Sequence, residues 1–281
     1  MFGRQYYSLV AGLREYTLDA DVKGFDAAGI IDEIRTQLSS SDRKTLDLFY
    51  TYYDIENILA MRAARSRFSE LGNFTREELA AQLDKPSALP QFVTKILYVY
   101  DNPESVEAQS ADLTVPLERA LFAAYYAQCA KSKCGFLVRW SSFDRTLRNI
   151  IAALTARSKG IPVADVIVGG GDTAEALSRS SASDFGLRAE IDYMDAVLSA
   201  VGDDANLLEK ERKIDMIRWE KSEELTAFDY FDIDAILGYL VRVNIVYRWM
   251  ALDAQTGRRM YEKLIGSLSA EDKIRNGAAE K

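Results

Sequence analysis

The residues of this 281-residue chain that most invite a chemical reading are three consecutive glycines. Gly169-Gly170-Gly171-Asp172-Thr173-Ala174 fits the pattern G-x-G-x-x-A, in which backbone N–H groups cradle a pyrophosphate at a helix N-terminus. Val163–Val168 ahead of it can pass for a strand, and Glu190 and Asp192 lie about twenty residues on, where a ribose-binding acid would sit. The pattern carries weight only inside a strand–helix–strand unit, and no such alternation surrounds it. A flexible turn leading into a short helix is the competing reading. No lysine follows in the register of a P-loop.

Other chemistry is limited by composition. The chain has no histidine, which removes Ser-His-Asp and Cys-His catalysis, His-liganded zinc and His as general base. Its two cysteines, Cys129 and Cys134, cannot close a four-thiolate zinc site and read as packing residues of a reducing compartment. The acidic stretch Asp184–Asp195 lacks the Glu-x-x-His of a helical di-metal site and reads as a solvated face. No catalytic, cofactor-binding or metal-binding residue is therefore expected, and no cofactor. A net charge of −8 is the wrong sign for binding nucleic acid or anionic lipid. The longest apolar stretch, Ala120 to Ala130, is too short to span a bilayer, and the first residues carry no signal-peptide pattern. A cytoplasmic protein is the expectation.

Two residue groups stay open. Tyr50, Tyr52, Tyr53, Tyr98, Tyr100, Tyr125 and Tyr126 suit either a core or an interaction surface. Arg62, Arg65 and Arg67, like Arg145, Arg148 and Arg157, can line a cavity that faces an acidic partner or compensate helix C-terminal dipoles.

The elements that must position these residues read as helices. Ile233, Ile236, Leu237, Leu240, Val241, Ile245, Trp249 and Leu252 recur at three and four, one apolar stripe over Asp232–Leu252. Asp232 or Asp234 serves its N-terminus, and Gly257 is a plausible stop. Further helices are predicted over Ala27–Leu38, Arg43–Arg65, Thr75–Leu83, Gln91–Val99, Pro116–Ala130, Arg139–Ser158, Thr173–Arg179, Arg188–Ala200, Asn206–Thr226 and Arg259–Ser267. Thr75 with Glu78 makes a capping box. The fold class is all-α.

The chain also repeats itself. Residues 56–66 read ENILAMRAARS and residues 148–158 read RNIIAALTARS, so Asn57 aligns with Asn149, and Ala64-Arg65-Ser66 with Ala156-Arg157-Ser158. A weaker third copy places Asn244 in the same frame, with Leu252 where the others carry arginine. The three asparagines are 92 and 95 residues apart, which suggests three helical repeats at 1–100, 101–190 and 191–281. Asparagine is a poor residue in mid-helix. Its recurrence predicts an amide that satisfies backbone at a neighbouring turn and holds each repeat together.

The thrice-repeated order of an acidic residue, Asn-aliphatic, a basic helix end and a Gly turn resembles the central-stalk subunit of rotary V/A-type ATPases, called C in bacteria and archaea and d in eukaryotes. The residues that carry the resemblance are Tyr53-Asp54-Ile55-Glu56-Asn57-Ile58-Leu59, Phe143-Asp144 with Leu147-Arg148-Asn149-Ile150, and Tyr230 to Leu240 running on to Asn244. Tyr6 to Leu13 and Ser183-Asp184-Phe185-Gly186-Leu187 look like a divergent bacterial branch. The third copy departs from the pattern at Leu252 and at Asp253 to Gly257. The resemblance implies a pseudo-threefold helical funnel without an active site. Its mouth would take the central shaft and its base would sit on the membrane rotor ring, coupling ATP turnover to proton or sodium transport. It also implies a place at the inner face of the plasma membrane, held there by shaft and ring subunits. A stand-alone helical scaffold is the alternative, and a nucleotide-binding enzyme using Gly169–Gly171 the third.

Overall fold

The computed structural model describes residues 4–17, 24–202 and 206–252, and the fold is all-α. The helices are α1 (Tyr7–Gly12), α2 (Ala27–Gln37), α3 (Ser40–Arg62), α4 (Arg76–Asp84), α5 (Gln91–Asp101), α6 (Leu117–Cys129), α7 (Gly135–Ser158), α8 (Asp172–Arg179), α9 (Met194–Val201), α10 (Leu207–Leu225) and α11 (Ile233–Leu252). No strand occurs among the described residues. Gly257 and the helix predicted over Arg259–Ser267 lie outside them.

Local chemistry sets most helix starts. The Thr75 side chain accepts from the Glu78 N–H while Glu78 accepts from the Thr75 N–H, the predicted capping box. Asp232 accepts from the Ala235 N–H at 3.1 Å and begins α11. Asn206 caps α10 in the same way. Two helices begin earlier than their apolar periodicity suggests. Ser39 caps α3 by accepting from Asp42 N–H at 3.2 Å, so α3 starts at Ser40 instead of Arg43. At α7 the cap is a thiol: Cys134 Sγ accepts from the Leu137 N–H and donates to Asp234, whose carboxylate also accepts from the Phe136 N–H at 2.6 Å. Asp234 thus neutralises the start of a helix a hundred residues upstream rather than its own.

Two predicted elements change. Arg188–Ala200 contracts to the eight residues of α9, because residues 188–193 turn. Val163–Val168, which can pass for a strand, begins as a single 3₁₀ turn at Val163–Asp165. The short α1 went unpredicted because six residues are too few to show a period.

One continuous apolar core runs from Tyr6 to Ile245, through all three thirds of the chain. The first third meets the second where α3 and α5 pack on α6, and the second meets the last where α7 packs on α9 and α10. The third returns to the first: Tyr50 of α3 donates its hydroxyl to Asn244 of α11, and Tyr6 N–H donates to Phe231 C=O at 2.5 Å. α11 is long and apolar enough, by length and composition, to cross a membrane. In this fold 56% of its apolar window is buried inside the protein, with Ile236, Leu237, Leu240 and Val243 facing the core.

Candidate functional site

A cavity of 1210 Å³ lies between α3, α6, α7, α10 and α11. Aromatic side chains from α3 and α6 form one wall. Tyr52 packs on Phe122 with ring centroids 5.0 Å apart and on Tyr125 at 5.8 Å, and Tyr125 meets Tyr126 edge-on. The clustered tyrosines of α3 and α6 are therefore packed residues that also face an internal space.

The opposite wall is a chain of alternating charges. Asp144 and Arg148 stand one turn apart on α7, Glu211, Asp215 and Arg218 line one face of α10, and Arg248 comes from α11. Arg148 Nε donates to Asp144 at 2.8 Å, and Tyr126 donates its hydroxyl to the same carboxylate at 2.7 Å. Arg218 bridges Asp144, 3.6 Å away, and Asp215, 2.8 Å away. Arg248 grips both Asp215 oxygens at 2.8 and 2.7 Å and continues to Glu211. Trp249 Nε1 completes Asp215 at 3.0 Å. Three arginines thus alternate with three carboxylates, and the wall is neutral as a whole.

Burial pushes the Asp144 carboxyl up, but Arg148, Arg218 and the Tyr126 hydroxyl outweigh it and hold the group below the usual carboxylate range. Burial together with the Asp144 charge drives the Tyr126 phenol well above its ordinary value, so it remains a donor. Asp215 is 1% exposed. A carboxylate so buried is tolerable only because two guanidinium groups and an indole N–H satisfy it. One atom is left over: Arg218 Nε is buried without a hydrogen-bond partner.

The repeated asparagines lie on the inner faces of α3 and α7. Asn57 Nδ2 donates to the Ser69 C=O at 2.9 Å, and the Ser69 N–H donates back to Asn57 Oδ1 at 2.7 Å. Asn149 makes the same two-way clasp with Val168, at 3.0 and 2.9 Å. Each amide thereby replaces a strand-like pair of backbone bonds for a loop that has no ladder partner. The loops differ in length, twelve residues from Asn57 to Ser69 and nineteen from Asn149 to Val168. Among the described residues Asn244 has a different partner: its Oδ1 accepts from the Tyr50 hydroxyl at 3.2 Å, a contact between α11 and α3.

Asp54 adds a second pin in the first repeat. Its carboxylate accepts from Asn73 N and Nδ2, both at 2.7 Å, and burial pushes it up to about 6 in spite of these bonds. Gly72 passes so close that an added Cβ would meet Asp54 Oδ1 at 2.7 Å. Asp144, the acid that precedes Asn149 at a different distance, serves the charged wall instead.

The remaining candidates resolve individually. Gly169–Gly171 follows no strand, and α8 behind it has only eight residues. The dinucleotide pattern lacks its context here. Cys129 is buried and pushed up to about 12, and burial likewise raises Cys134, so both stay protonated thiols in packed positions. In the acidic stretch Arg188 pairs with Asp195 at 2.9 Å and Lys221 with Asp192 at 3.5 Å. No group of three metal-ligating residues occurs among the described residues. Of the arginines, Arg62 pairs outward with Asp101, whereas Arg157 binds the carbonyls of Ser180 and Ala182 beneath the ring of Phe185. Arg148 lines the cavity. Sequence reasoning did not single out Asp215, Arg218 or Arg248. Asp215 and Arg218 stand i, i+3 on α10, but Asp144 and Arg248, which extend the pair into a chain, lie on α7 and α11.

No curated protein and no solved structure matches this chain. Residues 3–272 match the sequence family described as "Protein of unknown function (DUF2764)", and the chain belongs to that family.

Proposed function

We propose that this protein is a non-catalytic central-stalk adaptor of a rotary V/A-type ATPase, a coupling sleeve between the rotating shaft and the membrane rotor ring. The observation that carries the reading is the 1210 Å³ cavity ringed by helices from all three thirds of the chain, each third packed on both others. Such a closed arrangement suits a funnel. The matching Asn57 and Asn149 clasps support a common ancestry for the first two units. The walls suit a mechanical part: interlocked ion pairs from three helices resist shear, and both cysteines are inert. Within the charge chain, Asp144, Asp215 and Glu211 are each paired with an arginine.

The test is recovery of the tagged chain from its native membranes, with mass identification of co-eluting proteins. Shaft and ring subunits in stoichiometric yield are the expected result. Their absence, from membranes in which the ATPase is present and assembled, would overturn the proposal.

A further inference from the structure

A second, smaller cavity of 330 Å³ opens beside the first, between the C-terminal half of α3, the middle of α7 and α6. Its charge is unlike that of the molecule. Four arginines, Arg65, Arg67, Arg145 and Arg148, line it against two glutamates, Glu56 and Glu118, in a protein whose acids outnumber its bases 43 to 35. Arg148 is already paired with Asp144, and Glu56 accepts from the Tyr52 hydroxyl at 3.2 Å while keeping its charge. Arg65, Arg67 and Arg145 make no ion pair with any described carboxylate.

The backbone that carries these arginines is pinned, although Arg65 and Arg67 are themselves exposed. The Asn57 clasp fixes the far end of the loop that carries Arg65 and Arg67, and the Asn149 clasp fixes Val168 beside Arg145. Comparison of the two repeats sharpens the point. Arg157, which aligns with Arg65, is spent on the Ser180 and Ala182 carbonyls. Arg65 has no such duty, and Ala64 before it takes a left-handed backbone, φ 51°, that turns the chain out of α3. With Arg148 paired to Asp144, the three remaining arginines still outnumber the two glutamates of the lining, and guanidinium forks match phosphate oxygens in bidentate geometry.

We infer that this cavity is a binding site for a small ligand carrying a diphosphate group, held by Arg65, Arg67 and Arg145. A volume of 330 Å³ suits a small molecule rather than a protein segment. The inference stands apart from the stalk reading, since binding is measured on the isolated chain.

The experiment is calorimetric titration of the full chain with inorganic pyrophosphate and, separately, with ADP. Saturable binding that weakens as salt is raised is expected for pyrophosphate. Arg145→Gln and Arg65→Gln each weaken it by about tenfold or more, the worth of one charge-assisted hydrogen bond. Arg62→Gln, outside the cavity, leaves it unchanged, and far-UV circular dichroism confirms that each variant folds. Tighter binding of ADP than of pyrophosphate identifies a nucleotide as the ligand class, and equal binding a bare diphosphate. Either supports the site. No saturable heat with either probe, or binding that both cavity variants retain in full, overturns it.

Discussion

Replacing Asn149 with alanine removes both halves of its clasp on Val168. The two bonds measure 3.0 and 2.9 Å, and the side chain is 5% exposed. Each bond is worth ~1 kcal/mol net, and a backbone group left partly unsatisfied adds a similar amount, so the loss should be ~2–3 kcal/mol. Asn57→Ala removes an equivalent pair on Ser69 and should cost the same. Urea unfolding would show a lower midpoint with an unchanged m-value, because the denatured chain exposes the same surface. A companion variant tests the donor alone. Asn149→Asp keeps an acceptor for the Val168 N–H, but an ionised carboxylate then faces the Val168 carbonyl. Only the protonated acid can donate there, so its folded pKa should rise above the unfolded ~3.9. Stability of this variant is therefore greatest below the unfolded pKa and falls as pH rises through the folded one. If both alanine variants unfold within ~0.5 kcal/mol of the wild type, the clasps do not hold the loops and the account of the repeated asparagine is wrong.

Three further outcomes follow from other sites. Asp215→Ala leaves Arg218 and Arg248 without their shared carboxylate and should cost ~3–5 kcal/mol, measured by urea unfolding; a cost below ~1 kcal/mol would show the pairs to be dispensable. Gly72→Ala drives a methyl into Asp54 Oδ1 and should destabilise by ~1–3 kcal/mol on the same assay, with wild-type stability contradicting the close approach. Asp54 itself titrates near 6, a value raised by burial, so the native state holds a proton that the unfolded state has released. Its contribution is fully present below the unfolded pKa of ~3.9 and is lost as pH climbs through about 6, a swing of ~3 kcal/mol. Carboxyl NMR across that range checks it, and an Asp54 midpoint below 4 refutes it.

Sequence reasoning reached the all-α class, most of the helices and several of their caps, because those depend on neighbours three or four residues away. Thr75 with Glu78 and Asp232 with Ala235 are local chemistry, readable in any context. The duty of Asn57 and Asn149 was legible for a different reason: a poor helix former repeated in one frame needs a backbone partner. Packing decided the rest. The stripe of α11 shows which face is apolar but not which helices it meets, so the partnership of Asp215 with Arg248, thirty-three residues apart, left no local trace. Asn244 shares the motif, yet its partner among the described residues is Tyr50 of α3. Asp234 sits in the first turn of α11 but serves α7, because tertiary packing brings that helix's free N–H groups within its reach. Periodicity is a property of single segments, whereas cavities and ion pairs belong to the surfaces that segments share. The amino-acid order therefore determined the helices and their clasps, and only the folded chain determined which charges would face one another across the cavity.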